Sequence, residues 1–370
     1  MKGSVRRRGA ASWELRVYAG TNADTGKRRY RTATVTGNRA DAERALARLV
    51  GDVQSDKTIG SASTVSALLE AWFVIASTSW APTTTRETRS ILDRCLHPHL
   101  GHLRVGDISP SIIDATYAVL RERGSVRGGP LKPGTLSRIH VVLRSAFSQA
   151  QRWGWVWDNP VERAHRIVVP PPELHPPTPA ELRQLLDYIQ QRDPLFDVLV
   201  LLAAMTGARR AQLLGLRWSD VHRDAMRVSF CRGWVQGEQA AVVAPTKTKR
   251  RHSVELSANT HRALLAVGGD DVSGFVFSDD GGVTAWKPNW VTKSFIRYRR
   301  AAGVGEFQLR DLRHFMATEM LNAGVPLPVV ARRLDHQRPS TTLNFYAHAV
   351  PGGDADAAHT LEALLTGKQR

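Results

Sequence analysis

A proline-rich segment near the middle of the chain constrains the fold most strongly. Six prolines lie in the twelve residues from Val168 to Pro179, at positions 170, 171, 172, 176, 177 and 179. Proline lacks an amide hydrogen and fixes its φ angle, so neither a helix nor an inner strand can run through this segment. Such a run is extended and semi-rigid, as in spacers between domains. The chain has 370 residues, which is enough for cores on both sides, and the segment therefore predicts a domain boundary.

The part after the boundary starts with a strong helix signal. Thr178-Pro179-Ala180-Glu181 combines a capping box with a proline in the first helical turn. Helices are predicted near residues 180–191 and 194–205, short strands near 226–231, 240–244 and 253–256, and further helices after them. Residues 178–370 are therefore predicted to form a mainly helical domain with a small antiparallel sheet.

The part before the boundary divides again at a Gly/Ser-rich linker, Gly60–Ser63. Alternating polarity predicts strands over residues 13–18 and 29–35, and Asn38 can cap the helix that follows. Residues 1–58 are thus predicted to form a small sheet-plus-helix module, and the apolar stripes of residues 64–167 predict an all-helical domain. The predicted fold class is α+β and multidomain.

The charge of the chain points to a polyanionic partner. Lys and Arg number 51 against 34 Asp and Glu, which gives a net charge of +17. Such an excess favours DNA, although a protein can also be merely basic. The N-terminal module is especially rich in basic residues that flank its two predicted strands, and a β-ribbon can enter a major groove. The predicted DNA-binding residues are Arg6, Arg7, Arg8, Lys27, Arg28, Arg29 and Arg31. The alternative for them is a solvated charged face.

The cysteines and histidines do not predict a disulfide or a metal site. Cys95 and Cys231 are far apart and form no CxxC pair, which fits a reducing cytoplasm. His97, His99 and His102 have only Asp107 as a nearby carboxylate, so no metal is expected there. The N-terminus lacks the apolar core of a signal peptide, and no apolar run approaches the roughly 20 residues of a membrane span, so no membrane association is expected.

The C-terminal domain, residues 178–370, carries the residue types needed to cleave a DNA phosphodiester. A phenol must lie in line with the leaving oxygen, arginines must neutralise the non-bridging oxygens, and an acid must protonate the leaving 5′ oxygen. The covalent phosphotyrosine stores the bond energy, so resealing requires no cofactor. The candidates are Arg209, Lys247, Arg313, His336 and Tyr346.

Each candidate alone has an ordinary structural interpretation. Tyr346 could pack on a C-terminal helix, Arg209 and Arg313 could be surface charges, His336 could be a core histidine, and Lys247 could lie in a solvated basic turn. The ordered set is more informative, because Thr-Gly-x-Arg, a Lys between strands, Asp-Leu-Arg-His, Leu-x-His and Tyr-x-His in this order are not expected by chance.

On these motifs the chain resembles the tyrosine recombinases of the phage integrase family, of the kind found in phages and mobile elements of actinobacteria. The resemblance extends over nearly the whole chain, with residues 1–58 similar to an arm-type DNA-binding domain, 64–167 to a core-binding domain and 178–370 to a catalytic domain. It implies a C-shaped clamp and site-specific integration or excision by a homotetramer on paired double-stranded DNA attachment sites. It also implies an excisionase or DNA-bending accessory protein and a bacterial cytoplasm.

By this resemblance the candidate residues take specific catalytic roles. Arg209 and Arg313 take the places of the two catalytic arginines, and Lys247 would be the general acid. His336 would hydrogen-bond the phosphate, and Tyr346 would be the nucleophile.

Three positions depart from the family motif. Arg310 stands in place of a histidine, and arginine cannot accept a proton near neutral pH, although it can still donate hydrogen bonds to phosphate. Gln212 stands in place of a glutamate and can hydrogen-bond but cannot charge-pair with Arg209. Asp335 stands in place of a glycine, and aspartate tolerates a positive φ better than most residues do.

These departures leave alternative functions open. An active integrase with altered acid–base chemistry is the favoured interpretation, and a catalytically impaired site-specific DNA-binding protein is the first alternative. A type IB topoisomerase-like enzyme is the second, although a relaxing enzyme has no need of a separate N-terminal module. The apolar periodicity of residues 354–365 indicates docking of the tail, either on a neighbouring protomer or in cis.

Overall fold

The computed structural model describes residues 3–9, 11–21, 28–56, 63–124, 129–170, 175–237, 240–245, 251–268, 273–336, 362–363 and 365. The chain divides into two compact units, Met1–Pro171 and Pro172–Arg370. Each unit contains helices and at least one small antiparallel sheet, and helices predominate. The predicted α+β fold class is therefore confirmed.

A three-stranded antiparallel sheet and one helix form the beginning of the first unit. The strands are β1 (Gly3–Arg7), β2 (Ser12–Thr21) and β3 (Arg28–Thr36), with β2 in the middle, and the helix is α1 (Arg39–Asp56). Asn38 caps α1 as predicted, because its side-chain oxygen accepts a hydrogen bond from the backbone nitrogen of Asp41 at 2.9 Å. Leu15 and Val17 of β2 are buried with Ala42 and Leu49 of α1, so one face of the sheet packs on the helix.

The rest of the first unit is helical and has its own core. Its helices are α2 (Val65–Ser77), α3 (Pro82–Ile91), α4 (His97–Leu100), α5 (Pro110–Arg123) and α6 (Pro133–Arg152), and a π-helical turn (Leu92–Leu96) joins α3 to α4. Side chains of Thr64 and Ser109 cap α2 and α5. The apolar stripes predicted from the sequence, among them Leu68 with Leu69 and Leu143 with Phe147, are buried in this core.

His97 has a structural role in this domain. Its Nδ1 lies 2.8 Å from the hydroxyl of Ser66, and its Nε2 lies 2.9 Å from Oε1 of Glu70. Arg89 donates to the same Glu70 oxygen at 2.7 Å. Among the described residues no group of three or more His, Cys, Asp or Glu side chains could hold a metal ion.

The second unit is mainly helical. Its helices are α7 (Pro179–Gln190), α8 (Pro194–Thr206), α9 (Arg210–Leu214), α10 (Ala258–Ala266), α11 (Pro288–Ala301), α12 (Asp311–Asn322) and α13 (Leu327–Arg333). Thr178 and Glu181 form the predicted capping box of α7. The helix α8 is buried along most of its length at the centre of the main core.

Five short strands lie in the described part of the second unit. They are β4 (Val221–His222), β5 (Arg227–Phe230), β6 (Arg232–Gln236), β7 (Ala241–Pro245) and β8 (His252–Glu255). One antiparallel sheet has the order β4-β5-β8, and β6 pairs with β7 in a second. The sequence predicted β5, β7 and β8 but not β4 or β6. In the part of the chain that the structure describes, no helix is both long and apolar enough to cross a membrane.

Candidate active site

Two tight turns of the second unit place the candidate side chains. The first turn follows α8, which ends at Thr206 with Gly207 in the left-handed conformation at φ +63°. The left-handed φ favours glycine, and an added Cβ would also displace Cε of Met316 and lie 3.1 Å from Cδ2 of Leu334. The turn therefore favours glycine, and it brings Arg209 to the start of α9.

Gln212 fixes the backbone of Arg209. The Gln212 side chain is buried, and its Oε1 accepts a hydrogen bond from the Arg209 backbone nitrogen at 2.9 Å. This contact needs an oxygen acceptor but no negative charge, so glutamine can hold the turn as a carboxylate would.

The second turn follows α13 and presents Asp335 and His336. Leu334 caps the helix, Asp335 has a φ of +53°, and the backbone nitrogen of His336 donates to the Ala331 carbonyl at 3.0 Å. The expectation that aspartate would accept a positive φ here is confirmed.

Arg313, in the first turn of α12, connects the two turns. Its Nη1 donates to the Gly207 carbonyl at 2.6 Å, and its Nη2 donates to the Leu334 carbonyl. The guanidinium therefore lies between the chain segments that carry Arg209 and His336. A planar fork with several donors suits this position, because it can hold two carbonyls and still carry its positive charge.

His336 is neutral at physiological pH in this setting. Burial, followed by the nearby charges of Arg313 and Arg209, lowers the pKa of His336 to about 4. A neutral imidazole has one nitrogen that donates and one that accepts a hydrogen bond. His336 can therefore donate a hydrogen bond to a phosphate oxygen through the nitrogen that carries the proton.

Asp335 brings a negative charge to the same place. Its Oδ2 lies 3.9 Å from Nη1 of Arg209, and its side chain is 14% exposed. Burial lowers the pKa of Arg209, and the Asp335 carboxylate opposes this effect. Arg209, Arg313, Asp335 and His336 thus form one cluster, which we call the arginine cluster.

Arg310 is oriented differently from the arginine cluster. Its side chain is 75% exposed, and its Nε lies 3.5 Å from Oδ1 of the neighbouring Asp311. Lys247 and Tyr346 lie outside the described residues. The described ends of the Lys247 segment are Pro245 of β7 and Arg251 before β8.

Two residues near the arginine cluster were given no role from the sequence. His314 is half-buried, burial lowers its pKa, and its proximity contributes to the lowered pKa of His336. Arg333 donates to the carbonyls of Met205 and Glu255, while its own carbonyl lies 2.9 Å from Nε2 of His252. Only the adjacency of His314 to Arg313 offered a signal. The contacts of Arg333 join segments far apart in sequence, which a single sequence does not reveal.

The segment that carries these turns matches a known family. Residues 178–351 match the model of the phage integrase family, and the match includes Arg209, Arg313, His336 and the position of Tyr346. Residues 178–351 form a phage integrase family domain.

Curated relatives of this chain have low sequence identity to it. The integrase of ICEBs1 from Bacillus subtilis strain 168 is 20% identical over 378 residues, covering 98% of this chain and 100% of the relative. A tyrosine recombinase XerC-like protein from Caldanaerobacter subterraneus subsp. tengcongensis is 23% identical over 266 residues, covering 62% of this chain and 66% of the relative.

Solved structures of similar fold include integrases determined with DNA. The integrase of transposon Tn1549 in complex with a circular intermediate DNA is 18% identical, with a TM-score of 0.68 over 82% of this chain and 99% of that one. A lambda integrase tetramer bound to a Holliday junction is 16% identical, with a TM-score of 0.59 over 95% of this chain and 96% of that one. At these identities the likeness establishes the fold.

The N-terminal sheet of this chain has an open face that the sequence did not single out. Arg16 pairs with Ser4 on one side and Thr32 on the other, and all three are exposed, opposite the buried Leu15 and Val17. The Arg16 guanidinium lies 3.8 Å from the centre of the Tyr30 ring. Period-two alternation along β2 was the signal that could have identified Arg16.

The predicted DNA-binding residues of the N-terminal module lie in different surroundings. Arg6 is exposed on the open face, Arg8 forms two hydrogen bonds of 3.0 Å with Glu14, and Arg7 lies over the Trp13 ring. Arg31 is on the face that packs against α1 and lies 4.8 Å from the centre of the Trp157 ring. Arg28 and Arg29 are in β3 with side chains outside the description, and Lys27 lies outside the described residues.

Proposed function

We propose that this chain is a site-specific DNA recombinase that cleaves and rejoins DNA through a covalent 3′-phosphotyrosine at Tyr346. The observation that carries the proposal is the arginine cluster, in which Arg313 links the two turns that present Arg209 and His336. Two half-buried arginines beside a neutral imidazole suit a phosphodiester, whose transition state gains negative charge on oxygens that guanidinium groups bind well.

The chemistry assigns one step to each group. The Tyr346 oxygen attacks phosphorus and forms a P–O bond, while the bond from phosphorus to the 5′ oxygen breaks. Lys247 gives its proton to that leaving oxygen, and Arg209 and Arg313 neutralise the non-bridging oxygens. His336 hydrogen-bonds to the phosphate. Attack of the free 5′ hydroxyl on the phosphotyrosine reverses these steps, so no cofactor is consumed.

The proton of the Tyr346 phenol requires an acceptor other than Arg310. An arginine cannot accept a proton near neutral pH, and the Arg310 side chain is mostly exposed beside Asp311. Arg310 is instead suited to donate hydrogen bonds to DNA phosphate. His336 and His314 are the described imidazoles near the arginines, and burial lowers the pKa of both, so that each is neutral at neutral pH.

The remaining parts of the chain fit an integrase that acts on attachment sites. The N-terminal sheet offers Arg6, Arg16 and Thr32 on one open face, which suits recognition of separate arm sites in a major groove. We expect residues 64–167 to bind core DNA and four copies to act on two paired sites. A lambda integrase tetramer bound to a Holliday junction, which has a similar fold, supports this assembly. An excisionase or DNA-bending protein would set direction, and the reaction would take place on DNA in a bacterial cytoplasm.

Trapping on a nicked suicide substrate tests the proposal. Wild type incubated with DNA that carries the attachment site should form a covalent protein–DNA adduct, and Tyr346→Phe should form none while still binding the DNA. If wild type forms no adduct but Arg310→His does, this chain is a catalytically impaired DNA-binding protein. Relaxation of a supercoiled plasmid that lacks the site would instead favour a topoisomerase.

A further inference from the structure

Asp335 is an unexpected group beside a phosphate-binding arginine. Its carboxylate lies 3.9 Å from Arg209, its side chain is 14% exposed, and its backbone has a φ of +53°. Among the described residues only Met226 and Asp335 are non-glycine residues with a positive φ. Glycine would adopt this backbone more easily, so the backbone does not explain why a carboxylate is present.

The carboxylate changes the charge of the arginine cluster. Arg209 and Arg313 are positive and His336 is neutral, since burial and the two arginines lower the pKa of His336 to about 4. An ionised Asp335 cancels one of the two positive charges, and its effect on Arg209 is visible because it opposes the lowering of the Arg209 pKa by burial. A phosphate that binds Arg209 must therefore compete with an anion already in the cluster.

We propose that Asp335 is an internal counter-anion that holds Arg209 when DNA is absent and is exchanged for the DNA phosphate when DNA binds. Asp335 is thus a positioning and specificity-determining residue that acts through Arg209. An isolated phosphate displaces the Asp335 carboxylate from Arg209 poorly. A duplex that is held by the other DNA contacts of the chain displaces it readily. The carboxylate thereby lowers affinity for DNA that lacks the site. This inference rests on the proposed function in one respect, namely that Arg209 binds phosphate.

The test measures binding of DNA without an attachment site, in a Tyr346→Phe background so that no cleavage occurs. Asp335→Asn keeps the size of the side chain and tolerates a positive φ, and Asp335→Gly also removes the backbone strain. Both should bind this DNA about tenfold more tightly at equal salt, because repulsion of the phosphate is removed. The slope of log affinity against log salt should steepen by about one, because Arg209 is free to neutralise one more phosphate.

Asp187→Asn is a matched control, because it changes the net charge of the protein by the same amount as Asp335→Asn. Asp187 lies near Asp197 of α8, because it contributes to the raised pKa of Asp197. Asp197 is nine residues from Thr206, where α8 ends and leads to Arg209, which corresponds to roughly 14 Å along the helix. This control should change affinity by less than about twofold, as expected for a screened surface charge. In an Arg209→Ala background the effect of Asp335→Asn should vanish, which shows that it acts through Arg209.

The outcomes separate this inference from the proposed function. Unchanged affinity in both Asp335 variants overturns the inference, as does a gain in Asp335→Gly alone, which would reflect relief of backbone strain. An equal gain with Asp187→Asn also overturns it, because net charge would then suffice. Failure of wild type to form an adduct in the trapping experiment affects the recombinase proposal only, since the binding measurements require no chemistry.

Discussion

At the scale of single residues, the first turn of the arginine cluster depends on Gly207. Alanine at this position would keep a left-handed backbone, which costs about 1–2 kcal/mol, and its Cβ would also displace Cε of Met316 in the core. We expect Gly207→Ala to lower the free energy of unfolding by about 2–4 kcal/mol. Cleavage should also fall, because the Gly207 carbonyl is a hydrogen-bond partner of Arg313.

Gly324→Ala is the matched control for this prediction. Gly324 follows α12 at a φ of +78°, and an added Cβ would meet no atom within 4 Å. Its cost should be only the backbone contribution, about 1 kcal/mol. Denaturant unfolding of both variants measures the difference, and equal losses would show that the contact with Met316 is unimportant.

Asp197 is a second residue with a measurable effect. It is buried in α8, its Oδ1 has no hydrogen-bond partner in the described part of the chain, and burial, with a contribution from Asp187, raises its pKa from 3.8 to about 6. Because the folded pKa exceeds the unfolded one, the folded state binds this proton more tightly. Stability from this group therefore falls as pH rises from about 4 to 6, by about 3 kcal/mol in all.

Asp197→Asn should remove most of this pH dependence. We expect the variant to be more stable than wild type at pH 7 by about 1–3 kcal/mol, and the advantage to disappear near pH 4. Denaturant unfolding at several pH values measures this. A variant that is less stable than wild type at pH 7 would show that the charged carboxylate is stabilised by its surroundings.

At the scale of elements, the position of α13 depends on contacts at its C-terminal end. Arg333 donates to the carbonyls of Met205 at the end of α8 and Glu255 at the end of β8, and its own carbonyl lies 2.9 Å from Nε2 of His252. Arg333→Met keeps the aliphatic part of the side chain but loses both donations. We expect a loss of about 1–3 kcal/mol in stability and a slower cleavage rate, since α13 leads directly to Asp335 and His336.

The neighbouring Arg332→Met serves as the control for Arg333→Met, because Arg332 is exposed on the same helix and carries the same charge. Its stability should change by less than about 0.5 kcal/mol. The ratio of cleavage rates for the two variants on one suicide substrate checks the prediction, and equal rates would assign the effect to charge alone.

The sequence predicted elements well where periodicity and capping were strong. Helices α7 and α8 start within one residue of their predicted positions, because Thr178, Asp193 and the following prolines are unambiguous signals. Strand β1 was missed because its five residues include two arginines and only Val5 as a large apolar residue. Strand β6 was missed because Gly233 interrupts it and its pairing with β7 is a tertiary contact.

The candidate site was predictable in its composition but not in its contacts. Arg209, Arg313 and His336 could be named from motifs, and the structure brings them together. Their hydrogen bonds to the carbonyls of Gly207 and Leu334 could not be foreseen, since backbone carbonyls leave no trace in a sequence. The salt-bridge geometry of Asp335 with Arg209 was likewise invisible, because the two residues are more than a hundred positions apart.

At the scale of the whole molecule, the N-terminal module has a core of its own, formed by Leu15, Val17, Ala42 and Leu49. Deletion of residues 1–58 should therefore leave cleavage at the core site within about twofold of wild type. Integration between DNAs with arm sites should fall by about a hundredfold, because a second linked binding module raises overall affinity by about that factor. An equal loss of both activities would contradict the modular interpretation.

Arg313 of the second unit has a structural role and a charge-carrying role, and substitution of Arg313 alone cannot separate them. The Arg313 guanidinium holds the carbonyls of Gly207 and Leu334 while it carries charge toward the phosphate. Lysine would preserve that charge but not the planar fork, so an inactive Arg313→Lys protein would say little about catalysis. These two roles also restrict which residues evolution can place at this position. Any other residue would require new hydrogen-bond donors for both carbonyls at the same time, so a single substitution at Arg313 is not tolerated.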